Sequence, residues 1–210
     1  MLDARHDKHE MIFKLSRDIT TDSKRLIFSI HRLFDLQDKD SGLKKIHTSL
    51  DQIGKQWSKM STLLSDVKDP SLFQRAFSPG LQEYIEALSL LNVLENSHVP
   101  SFDEVLSRTQ FCDTKDAKMI LFEEILLGIQ DIAGEVMRFV TNMVSKGNVK
   151  YNIAGRNFLQ QMYVQSIGLN PKSHRELGRK ISALKGSMIK VEYLCYLSTL
   201  QAQEKESSTL

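Results

Sequence analysis

Cysteine, proline and tryptophan are all scarce in this chain of 210 residues, which holds two Cys, four Pro and one Trp. Cys112 and Cys195 cannot build a disulfide framework or a structural zinc site, and so few thiols suit a reducing compartment. With four prolines and ten glycines, long stretches run without punctuation, which favours helices over short strands joined by turns. Long apolar runs are missing as well. The best candidate, "MILFEEILLGI", is broken by Glu123 and Glu124, so no transmembrane segment is expected. The amino terminus, "MLDARHDKHE", is too charged for a signal peptide. A net charge of only +2 does not mark a nucleic-acid binder, so any such contact must come from local clustering or from surface pooled among subunits. There is no HExxH, no glycine-rich phosphate loop and no internal repeat. Glu95 and His98 make one ExxH, whereas di-iron bundles need two such units and further glutamates. Cys112 has no adjacent base and is not expected to be a nucleophile.

What is present is helical periodicity. The pattern predicts an all-α fold, a single domain over residues 1–210 with about seven helices, ordered from about residue 6 to 203 and frayed from 204 to 210. The first helix is expected over 8–36, followed by a turn at "DKDSG" in which Gly42 frees the backbone, and a second helix over 43–67. Asp69 and Pro70 mark the next start, as cap and first helical residue. That segment runs to about Ser97, with a kink or restart expected at Pro79, which lacks a backbone donor. Ser101 and Glu104 form a capping box for a short helix. Three more helices are expected over 116–145, 152–166 and 173–203.

Two acid pairs stand out. Glu83 and Glu86 are spaced i, i+3, and Asp131 and Glu135 are spaced i, i+4, so each pair projects from one helix face. Ala87, Leu90 and Leu94 share the face of the first pair. The helix carrying the second is apolar almost all round, with one polar stripe of Glu124, Gly128, Asp131, Glu135, Arg138 and Asn142. Carboxylates on buried faces need a partner, a metal or a proton, and four of them together would suit a hard cation such as Mg²⁺. A structural stripe, with Glu135 paired to Arg138, is the other reading of the same spacing. If the four acids share one partly dry site, they repel one another without metal, and neutralising one should raise the metal-free melting temperature.

Basic residues recur along two helices. Arg17, Lys24, Arg25 and Arg32 lie on the first, Arg175 and Arg179 on the last, with Lys14, Lys180, Lys185 and Lys190 nearby. They are either a solvated face or phosphate contacts beside the acids, because a polyanion does not approach a carboxylate cluster unaided.

Four stretches, in order, carry a resemblance: "HDKHEMIFKLSRDITTDSKRLIFSIHR", "GLQEYIEALS", "LLGIQDIAGEVMR" and "KISALKGSMIKVEYLCY". Together they resemble the translin family, in its translin-associated factor X branch, from about His6 to Tyr196. The resemblance implies an all-α fold and closed, octamer-like hetero-oligomers with translin. It also implies an Mg²⁺-dependent endoribonuclease acting on single-stranded RNA, in RNA silencing or tRNA-fragment processing. The branch's four catalytic and metal-holding acids fall on Glu83, Glu86, Asp131 and Glu135, and all are retained. A non-catalytic, partner-binding or RNA-binding subunit is the alternative. The connector "FCDTKDAK" is shorter than its counterpart in that branch. The basic nuclear-targeting segment of the branch has no match in these residues, so a cytoplasmic location is expected first and a nuclear one second.

Overall fold

In the computed structural model, residues 2–111, 114–169 and 175–207 are described, and among them every regular element is helical. The helices are α1 (Leu2–Arg32), α2 (Lys39–Leu64), α3 (Gln74–Asn96), α4 (Phe102–Thr109), α5 (Lys115–Ser145), α6 (Lys150–Ile167) and α7 (Arg175–Ser207). Short 3₁₀ turns at Leu33–Asp35 and Pro70–Phe73 precede α2 and α3. Chain packing forms two compact units, residues 1–129 and 130–210, and the division falls inside α5. No described helix is long and apolar enough to cross a membrane.

In the first unit α1 packs on both α2 and α3, and α4 packs on α2. The core draws Ile12, Ile19, Leu26 and Ile30 from α1, spaced seven, seven and four apart along one stripe. Trp57 of α2 and Tyr84 of α3 are fully buried, with ring centroids 6.4 Å apart. In the second unit α6 lies along α7. There a Cβ on Gly155 of α6 would stand 2.4 Å from a Val140 methyl of α5, so glycine sets how closely those helices approach.

Helix starts follow their caps. Asp38 accepts from the Ser41 amide at 3.0 Å, Asp69 from Ser71 at 3.0 Å, and Ser101 from Glu104 at 3.2 Å. Several local expectations change: the first helix spans Leu2–Arg32 rather than 8–36 and the second Lys39–Leu64 rather than 43–67. Gly42 is not in the turn but in the first turn of α2, where a Cβ would meet Leu36 and Leu33 methyls at 2.6 and 2.8 Å. Close packing, not backbone freedom, is what glycine supplies there. The carboxyl end of α7 continues to Ser207, past the expected Gln203, while the expected start at Ser173 lies outside the described residues. And α3 runs unbroken through Pro79. The Ser16 hydroxyl of α1 donates to the Phe77 carbonyl at 3.3 Å and accepts from the Gly80 amide at 3.1 Å, so backbone groups around the proline find partners.

Candidate metal centre and its basic neighbours

The acids of α3 sit where the helix passes from a polar ladder to a buried segment. Gln74, Ser78 and Gln82 recur at i, i+4, i+8, and from Tyr84 to Asn92 every residue but Glu86 is buried. Glu83 and Glu86 are half-buried among them. Lys24 of α1 reaches Glu83 at 3.1 Å, although 63% of the lysine side chain remains exposed. Glu86 also has an interaction within the fold.

Asp131 and Glu135 are likewise half-buried, on a stretch of α5 where Ile132, Ala133 and Val136 are buried. Lys180 of α7 places its ammonium 2.5 Å from Asp131 Oδ2. Only 14% of that lysine side chain is exposed, and its Nζ also lies 3.9 Å from Glu176 one turn earlier. Arg138 stands 3.5 Å from Glu135 on the same helix, as the i, i+3 spacing allows.

The stripe on α5 thus divides by function. Its first member, Glu124, is 2% exposed and belongs to no acid pair. Its carboxylate accepts hydrogen bonds from Gln74 Nε2 at 2.9 Å, Ser78 Oγ at 2.7 Å and Gln82 Nε2 at 2.7 Å. A buried carboxylate met by three neutral donors is a fastener between α3 and α5. The ladder of Gln74, Ser78 and Gln82 carried a signal for it, since polar residues repeating every fourth position next to an apolar segment demand a common acceptor.

The six basic positions share one environment. Arg17, Lys24, Arg25 and Arg32 are exposed on α1, and Arg175 and Arg179 are exposed at the start of α7. Arg25 pairs with Asp22 at 3.2 Å on its own helix, and the Arg32 guanidinium lies 5.6 Å from the Phe28 ring centroid. Lys24 and Lys180 each reach a predicted acid from another helix.

Other candidate chemistry falls away. Glu95 meets His47 of α2 at 3.0 Å, while His98 lies 3.1 Å from its neighbour's carbonyl, so the ExxH does not act as one unit. Burial pushes the Cys195 thiol up, away from thiolate chemistry, and Cys112 lies outside the described residues. Burial also raises the Tyr84 phenol to about 12, against the opposing pull of Arg108.

Among the described residues no three His, Cys, Asp or Glu side chains gather as a metal-holding group. The donors themselves suit a hard divalent cation: every one is a carboxylate oxygen, and Glu83, Asp131 and Glu135 each already hold a cationic side chain.

Comparison with known proteins places the chain. A model of the translin family matches residues 7–202. Translin-associated protein X of Rattus norvegicus is 32% identical over 97% of this chain and 76% of its own length. The Translin-associated protein X homolog of Schizosaccharomyces pombe is 30% identical over 95% of this chain and 84% of its own. Among solved structures, apo-NeC3PO superposes with a TM-score of 0.75 at 24% identity, covering 94% of this chain and 92% of that one. AfC3PO, whose structure is also known in a complex with duplex RNA, superposes at 0.71 with 15% identity, covering 95% of this chain. These last two likenesses concern the fold alone. With nearly the whole chain matched, this protein belongs to the translin family.

Proposed function

We propose that the chain is the RNA-cleaving subunit of a translin-type hetero-oligomer, an Mg²⁺-dependent endoribonuclease for single-stranded RNA. The observation that carries this reading is that Glu83, Glu86, Asp131 and Glu135 are all half-buried on faces where their neighbours are buried, at the four positions marked by the family resemblance. The buried carboxylate of Glu124, by contrast, accepts from three fixed neutral donors.

The chain's own residues divide the work. Glu83, Glu86, Asp131 and Glu135 are the residues that would hold the cation, through carboxylate oxygen. When bound, Mg²⁺ supplies an acidified water and offsets charge on the phosphoryl oxygens. Arg175 and Arg179 on α7, with Arg17, Lys24, Arg25 and Arg32 on α1, draw the polyanion in against the repulsion of the acids. Close aromatic company for these bases is sparse, so phosphate contact dominates over base stacking and cleavage is weakly sequence-selective.

Association with a second subunit is supported by exposed apolar surface. Met119 and Phe122 of α5 are 58% and 60% exposed and line a groove of about 790 Å³ with Phe102 and Lys118. Along α7, Ile189, Tyr193, Tyr196 and Leu200 form an exposed stripe with spacings of four, three and four. Patches of this kind mark interfaces. A translin-type subunit is the partner proposed, in a closed assembly. The test is co-expression with such a subunit, then cleavage of single-stranded RNA with Mg²⁺ or with chelator. Cleavage that depends on metal and is lost in Asp131→Asn is the expected result. A well-assembled complex without cleavage would leave the chain as a non-catalytic, RNA-binding subunit.

A further inference from the structure

We infer that the seam between α1 and α2 is a subsite for single-stranded RNA, in which one nucleobase stacks on Phe28 and its phosphate pairs with Arg32 and Lys45. The inference rests on the proposed RNA-cleaving role and names a place on the chain where the strand lies. Phe28 is 52% exposed in the middle of a basic face, with Lys24 and Arg25 one turn before it and Arg32 one turn after. The Arg32 guanidinium lies 5.6 Å from the ring centroid. A lone exposed ring is ordinary on a protein surface. This one lines a recess of about 220 Å³ together with cations from two helices, Arg32 of α1 and Lys45 of α2. None of the described residues that line the recess is a carboxylate. A ring face and two phosphate donors therefore open into one space.

Size decides the class of ligand. Pockets that enclose a free small molecule run from about 300 to 1,000 Å³, and this recess falls short of them. It suits one unit of a longer strand. A second recess of about 180 Å³, lined by Asp22, Arg25, Gln52 and Gln56, shares Ser29 and Ser49 with the first, so the seam continues along both helices. Asp22 is engaged there by Arg25 at 3.2 Å and by Gln56 at 2.8 Å, which offsets its charge. The Ser29 and Ser49 hydroxyls donate to carbonyls of their own helices, at 2.9 and 3.0 Å, and are left as acceptors for a ribose hydroxyl or a base amino group. A duplex cannot use the ring, because its bases already stack on one another; an unpaired strand can present a base face to it. Stacking of this kind is tolerant of sequence, since every base has a π-face.

The experiment uses the full chain co-purified with a translin-type subunit, in chelator so that RNA stays intact. Anisotropy of a fluorescent oligouridine is followed from low to high salt. Phe28→Ala should weaken single-strand binding about tenfold, the scale of one lost base stack, and leave affinity for an RNA duplex within about twofold. Phe28→Tyr keeps the ring and should stay within about threefold on both ligands. Lys45→Met and Arg32→Met should each lower the slope of log affinity against log salt by about 0.7, one phosphate contact apiece on a single strand. Undiminished single-strand binding by Phe28→Ala, or an equal loss on the duplex, would overturn the stack. An unchanged salt slope in either cation variant would overturn the phosphate contact. Photo-cross-linking of 5-iodouridine RNA to the unsubstituted complex needs no variant to assemble. Cross-links on residues 26–32, the segment that holds Phe28, are expected, and cross-links confined to other helices would overturn the subsite. If the unsubstituted complex binds no single-stranded RNA, the RNA reading itself fails; binding to which all these variants are indifferent sinks the subsite alone.

Discussion

Glu124 and Asp131 lie seven residues apart on one helix and have opposite surroundings. Glu124 is buried, and three neutral donors from α3 occupy its oxygens. Asp131 is half-buried and holds a single enclosed ammonium. A buried carboxylate met by three fixed neutral donors ties two helices together through its hydrogen bonds. A carboxylate paired with one ammonium through a single oxygen keeps accepting capacity on the other. Spacing on the helix is the same for both residues, so the difference lies wholly in what faces them.

The largest effect that could break this comparison is on activity. Asp131→Asn should abolish metal-dependent cleavage, a loss of about a thousandfold or more for an electrostatic contact to the reacting group. Its effect on folding should be modest. Without metal, the substitution leaves Lys180 facing a neutral amide, so the melting temperature should fall slightly, by the equivalent of about 1 kcal/mol. This reverses the rise expected if the acids merely repelled one another, because the structure gives Glu83, Asp131 and Glu135 each a basic partner. Cleavage at the original rate would remove Asp131 from the site.

Glu124→Ala should show the reverse pattern. Three donors lose their acceptor and a buried volume empties, so urea unfolding should show a loss of about 3 kcal/mol. Metal affinity of the material that remains folded should stay unchanged. A loss below about 1 kcal/mol would mean that water replaces the carboxylate freely and that Glu124 is no fastener.

A smaller effect separates the two faces of α3. Tyr84 lies between Glu83 and Glu86 in sequence but is wholly buried, and burial raises its phenol from 10.0 to about 12. Below pH 10 both folded and unfolded chains keep the proton, and the stability is fully present. Above it the unfolded chain ionises first and binds fewer protons, so stability falls as pH rises towards 12. The loss should reach about 2–3 kcal/mol, in proportion to the shift. Tyr84→Phe should flatten that alkaline limb; a limb unchanged in Tyr84→Phe would assign it to other groups.

The smallest effect belongs to the exposed pair. Lys24→Met should change stability by less than about 0.5 kcal/mol, because the lysine is largely solvated even while it reaches Glu83. A loss above about 1 kcal/mol in chemical denaturation would place Lys24 beside Lys180 as a structural counter-ion.

Much of this was legible in the residues. Caps at Asp69 and Ser101 are local signals, readable because a cap acts on the residues next to it in sequence, whereas the cap at Asp38 was read as part of a turn. The four acids were singled out through family resemblance, since spacing alone favoured a structural stripe over a metal site. No restart occurs at Pro79, where Ser16 of another helix, remote in sequence, takes up neighbouring backbone groups. Gly42 was misread for a similar reason: its value lies in two leucine methyls that pack against it.

Periodicity, capping and composition therefore determined that the chain is all-helical and where most helices begin, because those are properties of a residue and its nearest neighbours along the chain. Only the tertiary structure decided which carboxylate of one continuous stripe ties two helices through neutral donors and which is paired with an ammonium. That distinction depends on donors arriving from other helices, Gln74, Ser78 and Gln82 in one case and Lys180 in the other, and no spacing within α5 encodes them.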